Sequence, residues 1–131
     1  MGQHKDRFDL ALSQFAKALA RLHEAVDVIE TPMVRDALIQ RFEFTYELAW
    51  KSMFYWLLDG GEKVPEMVRP VLQAAFRCEL IGDPDVWEKI KDSRNETSHT
   101  YNEAKAIEVS SFVRSSALHE FDALLARLQA A

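Results

Sequence analysis

The first thirty residues carry apolar side chains at alternating steps of four and three. Such spacing places these side chains on one face of an α-helix. Alanines between the stripe positions add helix propensity and permit close packing against a neighbour. The pattern therefore predicts a helix over residues 5–29, with an apolar stripe made of Phe8, Leu12, Phe15, Leu19, Leu22, Val26 and Ile29.

A second long helix is predicted to begin at Thr31-Pro32 and to run to about Leu58. Threonine is a good N-cap and proline suits the first helical position, whereas the following Asp59-Gly60-Gly61 is typical of a helix end. Apolar residues surround this helix instead of forming one stripe, so we expect it to be covered on more than one side. The residues outside its main apolar face are Ile39, Phe44, Tyr46, Trp50, Phe54 and Tyr55.

The rest of the chain divides into shorter helices. Residues 60–66 are predicted as a loop, and a third helix has Pro70 in its first turn and ends near Ile81-Gly82. Asp83-Pro84 then starts a fourth helix, and Asn102 is a suitable N-cap for the last one. We find no convincing strand, internal repeat or linker, so residues 1–131 are predicted to form a single all-α domain. Its expected architecture is an up-and-down antiparallel bundle of four to five helices.

Composition narrows the function classes. A net charge of −5 and a pI near 5.4 disfavour non-specific coating of nucleic acid, although they permit a local phosphate site. The single cysteine, Cys78, excludes an internal disulfide and a cysteine-based zinc cluster. The N-terminus leads into an amphipathic segment, and no apolar run approaches the roughly 18 residues of a membrane span. We expect a cytoplasmic protein that neither enters a membrane nor requires a metal.

The polar stretch 91–102 is the one place where helical patterning fails. Arg94 offers a planar fork for a phosphate, and His99 titrates near neutrality. On one continuous helix a spacing of five residues separates two side chains by about 140°. Either the helix ends between the two, or each side chain meets counterparts from a second subunit. The alternative interpretation is an ordinary loop histidine, with the arginine in a surface ion pair with Asp92 or Glu96.

Three motifs together resemble those of HEPN domains, in the branch of nucleotidyltransferase substrate-binding proteins. The first is Arg94-x4-His99-x-Tyr101, and the second is the helix segment 41–51, RFEFTYELAWK. The third combines Ala74-Ala75-Phe76 with Leu80-Ile81-Gly82-Asp83 and Trp87. The resemblance extends over nearly the whole chain.

This resemblance implies a homodimeric toxin encoded beside a minimal nucleotidyltransferase in a type II toxin–antitoxin module. It implies that Arg94 and His99 cleave RNA without a metal or other cofactor, with Asn95 as a supporting polar residue. It also implies that the partner neutralises the toxin by transferring adenylate to Tyr101. The alternative is a non-catalytic substrate-binding or regulatory subunit of a two-component nucleotidyltransferase.

Charge near the motif favours this alternative, because acidic side chains outnumber basic ones around Arg94. An RNA track would need positive charge from elsewhere. Glu43 and Glu47 lie four apart on the second helix but lack a Glu-x-x-His companion, so a di-metal site is not predicted. We interpret these two glutamates as a solvated or partner-facing acidic edge. The basic residues that could supply an RNA track are Arg35, Arg41, Lys51, Arg69 and Arg77.

Overall fold

A computed structural model describes residues 4–97 and 102–130, and every regular element in these ranges is helical. The helices are α1 (Lys5–Val26), α2 (Pro32–Asp59), α3 (Val68–Arg77), α4 (Pro84–Glu96), α5 (Glu103–Phe112) and α6 (Leu118–Ala130). A π-helical turn, Val113–Ala117, joins α5 directly to α6. If α5, this turn and α6 are counted as one continuous helix, the described residues form five helices. This confirms the predicted all-α bundle. None of these helices is long and apolar enough to cross a membrane.

Three predicted helix starts are confirmed by their capping hydrogen bonds. The Thr31 hydroxyl accepts from the backbone N–H of Val34 at 3.1 Å, at the start of α2. The Asp83 carboxylate accepts from the N–H of Asp85 at 3.0 Å, and Asn102 Oδ1 accepts from the N–H of Lys105 at 3.0 Å. Each cap satisfies a backbone donor that lacks a partner within its helix.

Helix α1 ends at Val26, three residues before the predicted end, because tertiary contacts hold the chain that follows. Arg114 donates to the Val26 carbonyl at 2.8 Å. Glu30 accepts from Arg35 at 2.7 Å and from the Ser110 hydroxyl at 2.5 Å. Burial raises the pKa of the Glu30 carboxyl, but hydrogen bonds from Ser110, Arg35 and Arg114 outweigh that effect and lower it. Ile29 consequently leaves the apolar stripe and is 88% exposed.

Helix α3 ends at Arg77, whereas the pattern predicted an end near residues 81–82. The backbone N–H of Leu80 donates to the Ala75 carbonyl at 2.8 Å, and Glu79 between them has a left-handed φ of 62°. The predicted end of α2 uses the same closure, with Gly61 at φ 91°. Because α3 is closed by a glutamate and not by a glycine, the sequence carries no local sign of its end.

We expect Glu79→Gly to raise the free energy of unfolding by about 0.5–1 kcal/mol, because glycine adopts a left-handed φ without steric cost. The matched control is Gly61→Ala. A Cβ at Gly61 would meet no atom within 4 Å, so its expected destabilisation comes from backbone conformation alone. Thermal and urea unfolding of both variants measure the effect. A less stable Glu79→Gly protein would contradict the explanation given for the end of α3.

The core forms around Phe121 of α6, which contacts aromatic rings from three other helices. Its ring centroid lies 6.3 Å from Phe15, 6.1 Å from Phe42 and 5.7 Å from Trp87. Helix α2 is central, since it contacts α1, α3, α4, α5 and α6. This arrangement confirms that α2 is covered on more than one side. The cover comes from the chain's own helices. Beyond the first turn of α2, Phe44 is the large apolar side chain of this helix that they leave exposed, at 60%.

Candidate functional site

Arg94 lies in the last turn of α4, which ends at Glu96. The next residue, Thr97, closes the helix, and its hydroxyl lies 2.7 Å from the Arg94 carbonyl oxygen. The helix that carries Arg94 therefore ends before His99 is reached, which is one of the two arrangements that the spacing required. His99 and Tyr101 lie outside the described residues.

The carboxylate of Glu43 on α2 links that helix to the end of α4. Its Oε2 lies 3.6 Å from Arg94 Nη1, and the Thr97 hydroxyl is 2.5 Å from the same oxygen. The side chains of Arg94 and Glu43 are 27% and 26% exposed, so water screens the pair less than it would an open surface pair. Glu43 thus holds the guanidinium from the α2 side.

The interpretation of Glu43 as a solvated residue is wrong. Its carboxylate is mostly covered and is engaged by two groups of the same chain. The sequence offered one signal, the presence of Glu43 within the second-helix motif 41–51. No sequence feature near Glu43 connects this residue to Arg94, which lies 51 residues later. Glu47, one turn later, instead accepts from the Trp50 indole N–H at 3.3 Å.

Tyr46 forms the buried side of the same contact between α2 and α4. It is 2% exposed, and its hydroxyl has no hydrogen-bond partner among the described residues. Burial raises the pKa of the Tyr46 hydroxyl, as does the charge of Glu47, while the positive charge of Arg94 acts in the opposite direction. The Tyr46 hydroxyl is therefore protonated at neutral pH, and it lies within reach of the Arg94 charge.

Asn95, the predicted supporting residue, follows Arg94 in the last turn of α4 and is exposed. Its amide is thus available to a ligand that approaches the end of α4 from solvent. In the described ranges, no group of three or more His, Cys, Asp or Glu side chains could hold a metal ion. Asn95 and the neighbouring Glu96 are the exposed side chains of this last turn.

A cavity of about 170 Å³ opens beside Glu43, between α2, the end of α4 and the start of α5. Thr97 and Asn102 both line it, and the chain that joins these two residues includes His99 and Tyr101. The cavity is therefore adjacent to the candidate site. Its other lining residues are Asp36, Ile39, Gln40, Glu43, Glu96, Lys105, Ala106 and Val109.

Three basic side chains of α3, α4 and α5 are held in ion pairs. Arg69 and Lys91 lie 3.1 Å and 3.0 Å from the carboxylate of Glu88, and Lys105 lies 3.0 Å from Glu96. A hydrogen bond from Lys91 lowers the pKa of Glu88, and the same bond raises the pKa of Lys91. An RNA backbone would have to compete with these carboxylates.

The other residues predicted to supply an RNA track are similarly engaged or lie elsewhere. Arg35 is paired with Glu30, Arg41 with Glu24 and Arg77 with Glu62. Lys51 is exposed and lines a separate groove between α1 and α2. The expected basic residues are thus distributed over several faces and are mostly neutralised by their neighbours.

Comparison with known proteins identifies the family. Residues 10–130 match the family described as nucleotidyltransferase substrate binding protein like. The chain belongs to this family. The resemblance to nucleotidyltransferase substrate-binding proteins, inferred from three motifs, is therefore confirmed over nearly the whole chain.

The chain is similar in sequence to the Haemophilus influenzae protein named "Probable ribonuclease HepT". It is 37% identical over an alignment of 89 residues, and the alignment covers 62% of this chain and 61% of the relative. The chain thus spans about three fifths of the length of the curated relative that it matches.

Two solved structures share the fold. A crystal structure of a Thermus thermophilus protein superposes with a TM-score of 0.77 and 32% identity, covering 88% of this chain and 98% of that chain. A Haemophilus influenzae structure, reported to reveal the fold of a substrate binding domain of a nucleotidyltransferase, gives a TM-score of 0.65 and 28% identity. That second match covers 95% of this chain and 98% of the other. The helical arrangement is therefore shared with both of these proteins.

Proposed function

We propose that this protein is a metal-independent endoribonuclease, the toxin of a toxin–antitoxin module whose antitoxin is a minimal nucleotidyltransferase. The observation that carries the proposal is the position of Arg94, paired with Glu43 in the last turn of a helix that ends three residues before His99 in the sequence. The 37% identical relative named as a ribonuclease supports the same reaction class.

The two proposed catalytic side chains suit cleavage through the ribose 2′-hydroxyl. A neutral His99 accepts the proton of the 2′-hydroxyl as this oxygen attacks the adjacent phosphorus. The P–O5′ bond breaks, and a His99 side chain in its protonated form supplies the proton to the leaving O5′ oxygen. Arg94 stabilises the charge that develops on the phosphoryl oxygens, and the exposed Asn95 amide donates to the same phosphate.

Glu43 acts in this proposal as a positioning residue. A guanidinium has five N–H donors, so Arg94 can remain paired with Glu43 while other donors face a phosphate. The carboxylate also bonds to Thr97, which joins the orientation of the arginine to the end of α4. Misplacing a catalytic group by about 1 Å can cost about 10²-fold in rate, so the effect of this contact is measurable.

We therefore expect Glu43→Ala to reduce RNA cleavage by about 10- to 10²-fold, mainly through kcat, and Glu43→Gln to have a smaller effect. Glutamine still accepts the Thr97 hydrogen bond but lacks the charge that orients Arg94. The control is Glu47→Ala. Glu47 lies one turn away on α2, and its carboxylate accepts a hydrogen bond from the Trp50 indole N–H. Equal activities of wild type and Glu43→Ala would contradict the positioning role.

We also propose that the active form is a homodimer. The supporting feature is Phe44, which is 60% exposed on α2. Sedimentation velocity at micromolar concentration is expected to give a dimer, and Phe44→Asp is expected to shift it toward monomer. The matched control, Leu10→Asp, alters another exposed apolar residue on α1. A monomeric wild-type protein would contradict this part of the proposal.

The second candidate function is a substrate-binding or regulatory subunit without catalytic activity. The ion pairing of Arg69, Lys91 and Lys105 favours it, because Glu88 and Glu96 already neutralise much of the positive charge that these three side chains would offer to RNA. Incubation of purified protein with several RNAs in the presence of a chelator separates the two functions. The ribonuclease is expected to cut RNA under these conditions. A binding subunit would leave the RNA intact and still associate with the co-expressed nucleotidyltransferase.

A further inference from the structure

The cavity beside Glu43 has the size and walls to hold a flat ring. A volume of about 150 Å³ suffices for benzene in a protein interior, and this cavity has about 170 Å³. Ile39, Ala106 and Val109 provide an apolar wall on which a ring can pack. The amides of Gln40 and Asn102 lie among the same lining residues.

Charge determines which part of a nucleotide this cavity can accept. Three carboxylates line it, those of Asp36, Glu43 and Glu96, against one ammonium group, that of Lys105. Lys105 lies 3.0 Å from Glu96, and that hydrogen bond raises the pKa of the lysine. A phosphate would be repelled here. A neutral group with N–H donors would be bound, because an ionised carboxylate only accepts hydrogen bonds.

We infer that this cavity is a nucleobase subsite that receives the base beside the cleaved phosphate and favours bases with an exocyclic amino group. The inference rests on the proposed function, because Glu43 belongs both to the cavity wall and to the ion pair with Arg94. Sequence-specific recognition of single-stranded RNA uses splayed bases that are read on their Watson–Crick edges. Cytosine presents an N4 amino donor to this acidic rim, whereas uracil presents a carbonyl oxygen at the same place.

Binding of uncleavable trinucleotides tests the subsite directly. Their riboses carry 2′-O-methyl groups, which remove the attacking hydroxyl, and the central base is cytosine in one probe and uracil in the other. We expect the cytosine probe to bind wild type about tenfold more tightly than the uracil probe. Ile39→Trp, which fills the cavity, is expected to abolish this difference, and Asp36→Asn to reduce it.

Two further variants protect the test against misfolding. Gln40→Leu changes an exposed lining residue and is expected to weaken cytosine binding with unchanged thermal unfolding. Ile107→Trp places the same bulk on α5 outside the cavity and is expected to bind both probes as wild type does. Equal binding of the two probes by wild type, or no binding of either, would overturn the subsite.

Sequencing of RNA cleavage ends separates this inference from the proposed function. Cuts that show an amino-bearing base at one flanking position, lost in Gln40→Leu, support both. Cuts without any flanking preference overturn the subsite and leave the ribonuclease intact. Intact RNA together with cytosine binding that depends on Ile39 supports the subsite and overturns the ribonuclease.

Discussion

Arg94→Ala and His99→Ala are each expected to lower RNA cleavage to the limit of detection in the presence of a chelator. Loss of a preorganised donor to a charged transition state costs about 10²- to 10³-fold in rate. Loss of a general acid or base costs about 10²- to 10⁴-fold. The rate of RNA cleavage, measured with one defined RNA and with total RNA, tests the loss expected for each variant.

Two matched variants separate catalysis from stability. Arg21→Ala removes an exposed arginine of α1, and His119→Ala removes an exposed histidine of α6. Neither belongs to α4 or lines the cavity beside Glu43, so both are expected to cleave RNA as wild type does. Circular dichroism is expected to show the same helical signal for all four variants. Cleavage by Arg94→Ala or His99→Ala at the wild-type rate would exclude the proposed ribonuclease site.

Helix starts could be predicted from the sequence because the signals that determine them are local. Threonine, aspartate or asparagine before a helix bonds to N–H groups two or three residues later. The contacts at Thr31, Asp83 and Asn102 all lie within three residues of the cap. Any sequence with these residues before an apolar periodic segment carries the same information.

Two helix ends could not be predicted, because their causes are not local to the sequence or do not use the usual residue. Helix α1 stops where Arg114, 88 residues away, bonds to the Val26 carbonyl. Helix α3 ends at Arg77, two residues before Glu79, whose left-handed conformation is rare for a residue with a side chain. A glycine at position 79 would have marked this end as Gly61 marks the end of α2.

The candidate site shows the same division. A short motif predicts Arg94 as a site residue, and helical geometry allows its helix to end before His99. Glu43 was not assigned to the site, because an acidic residue on a helix carries no sign of its partner 51 residues later. The pairing depends on how α2 and α4 are packed, which is a property of the complete bundle.

Adenylylation of Tyr101 is expected to inactivate the protein completely. The partner would catalyse attack of the Tyr101 oxygen on the α-phosphorus of ATP, with release of pyrophosphate and of the hydroxyl proton. The product places a bulky base and a negative phosphodiester two residues from His99. These groups would oppose an RNA phosphate at Arg94 both by size and by charge. Intact mass is expected to increase by one or more adenylyl groups after incubation with the co-purified partner, ATP and magnesium.

Tyr101→Phe is the decisive variant, because it removes the acceptor oxygen and retains the ring. It is expected to gain no mass and to remain an active ribonuclease in the presence of partner and ATP. The control Tyr55→Phe changes a half-buried tyrosine of α2 and is expected to be modified and inactivated as wild type is. A tyrosine hydroxyl is mostly protonated at neutral pH, since its ordinary pKa is about 10, so the metal site of the partner must supply the activation. If the mass of the wild-type protein does not change with a partner that is demonstrably active, this switch is excluded. If the modified protein still cleaves RNA, the modification does not inhibit the ribonuclease.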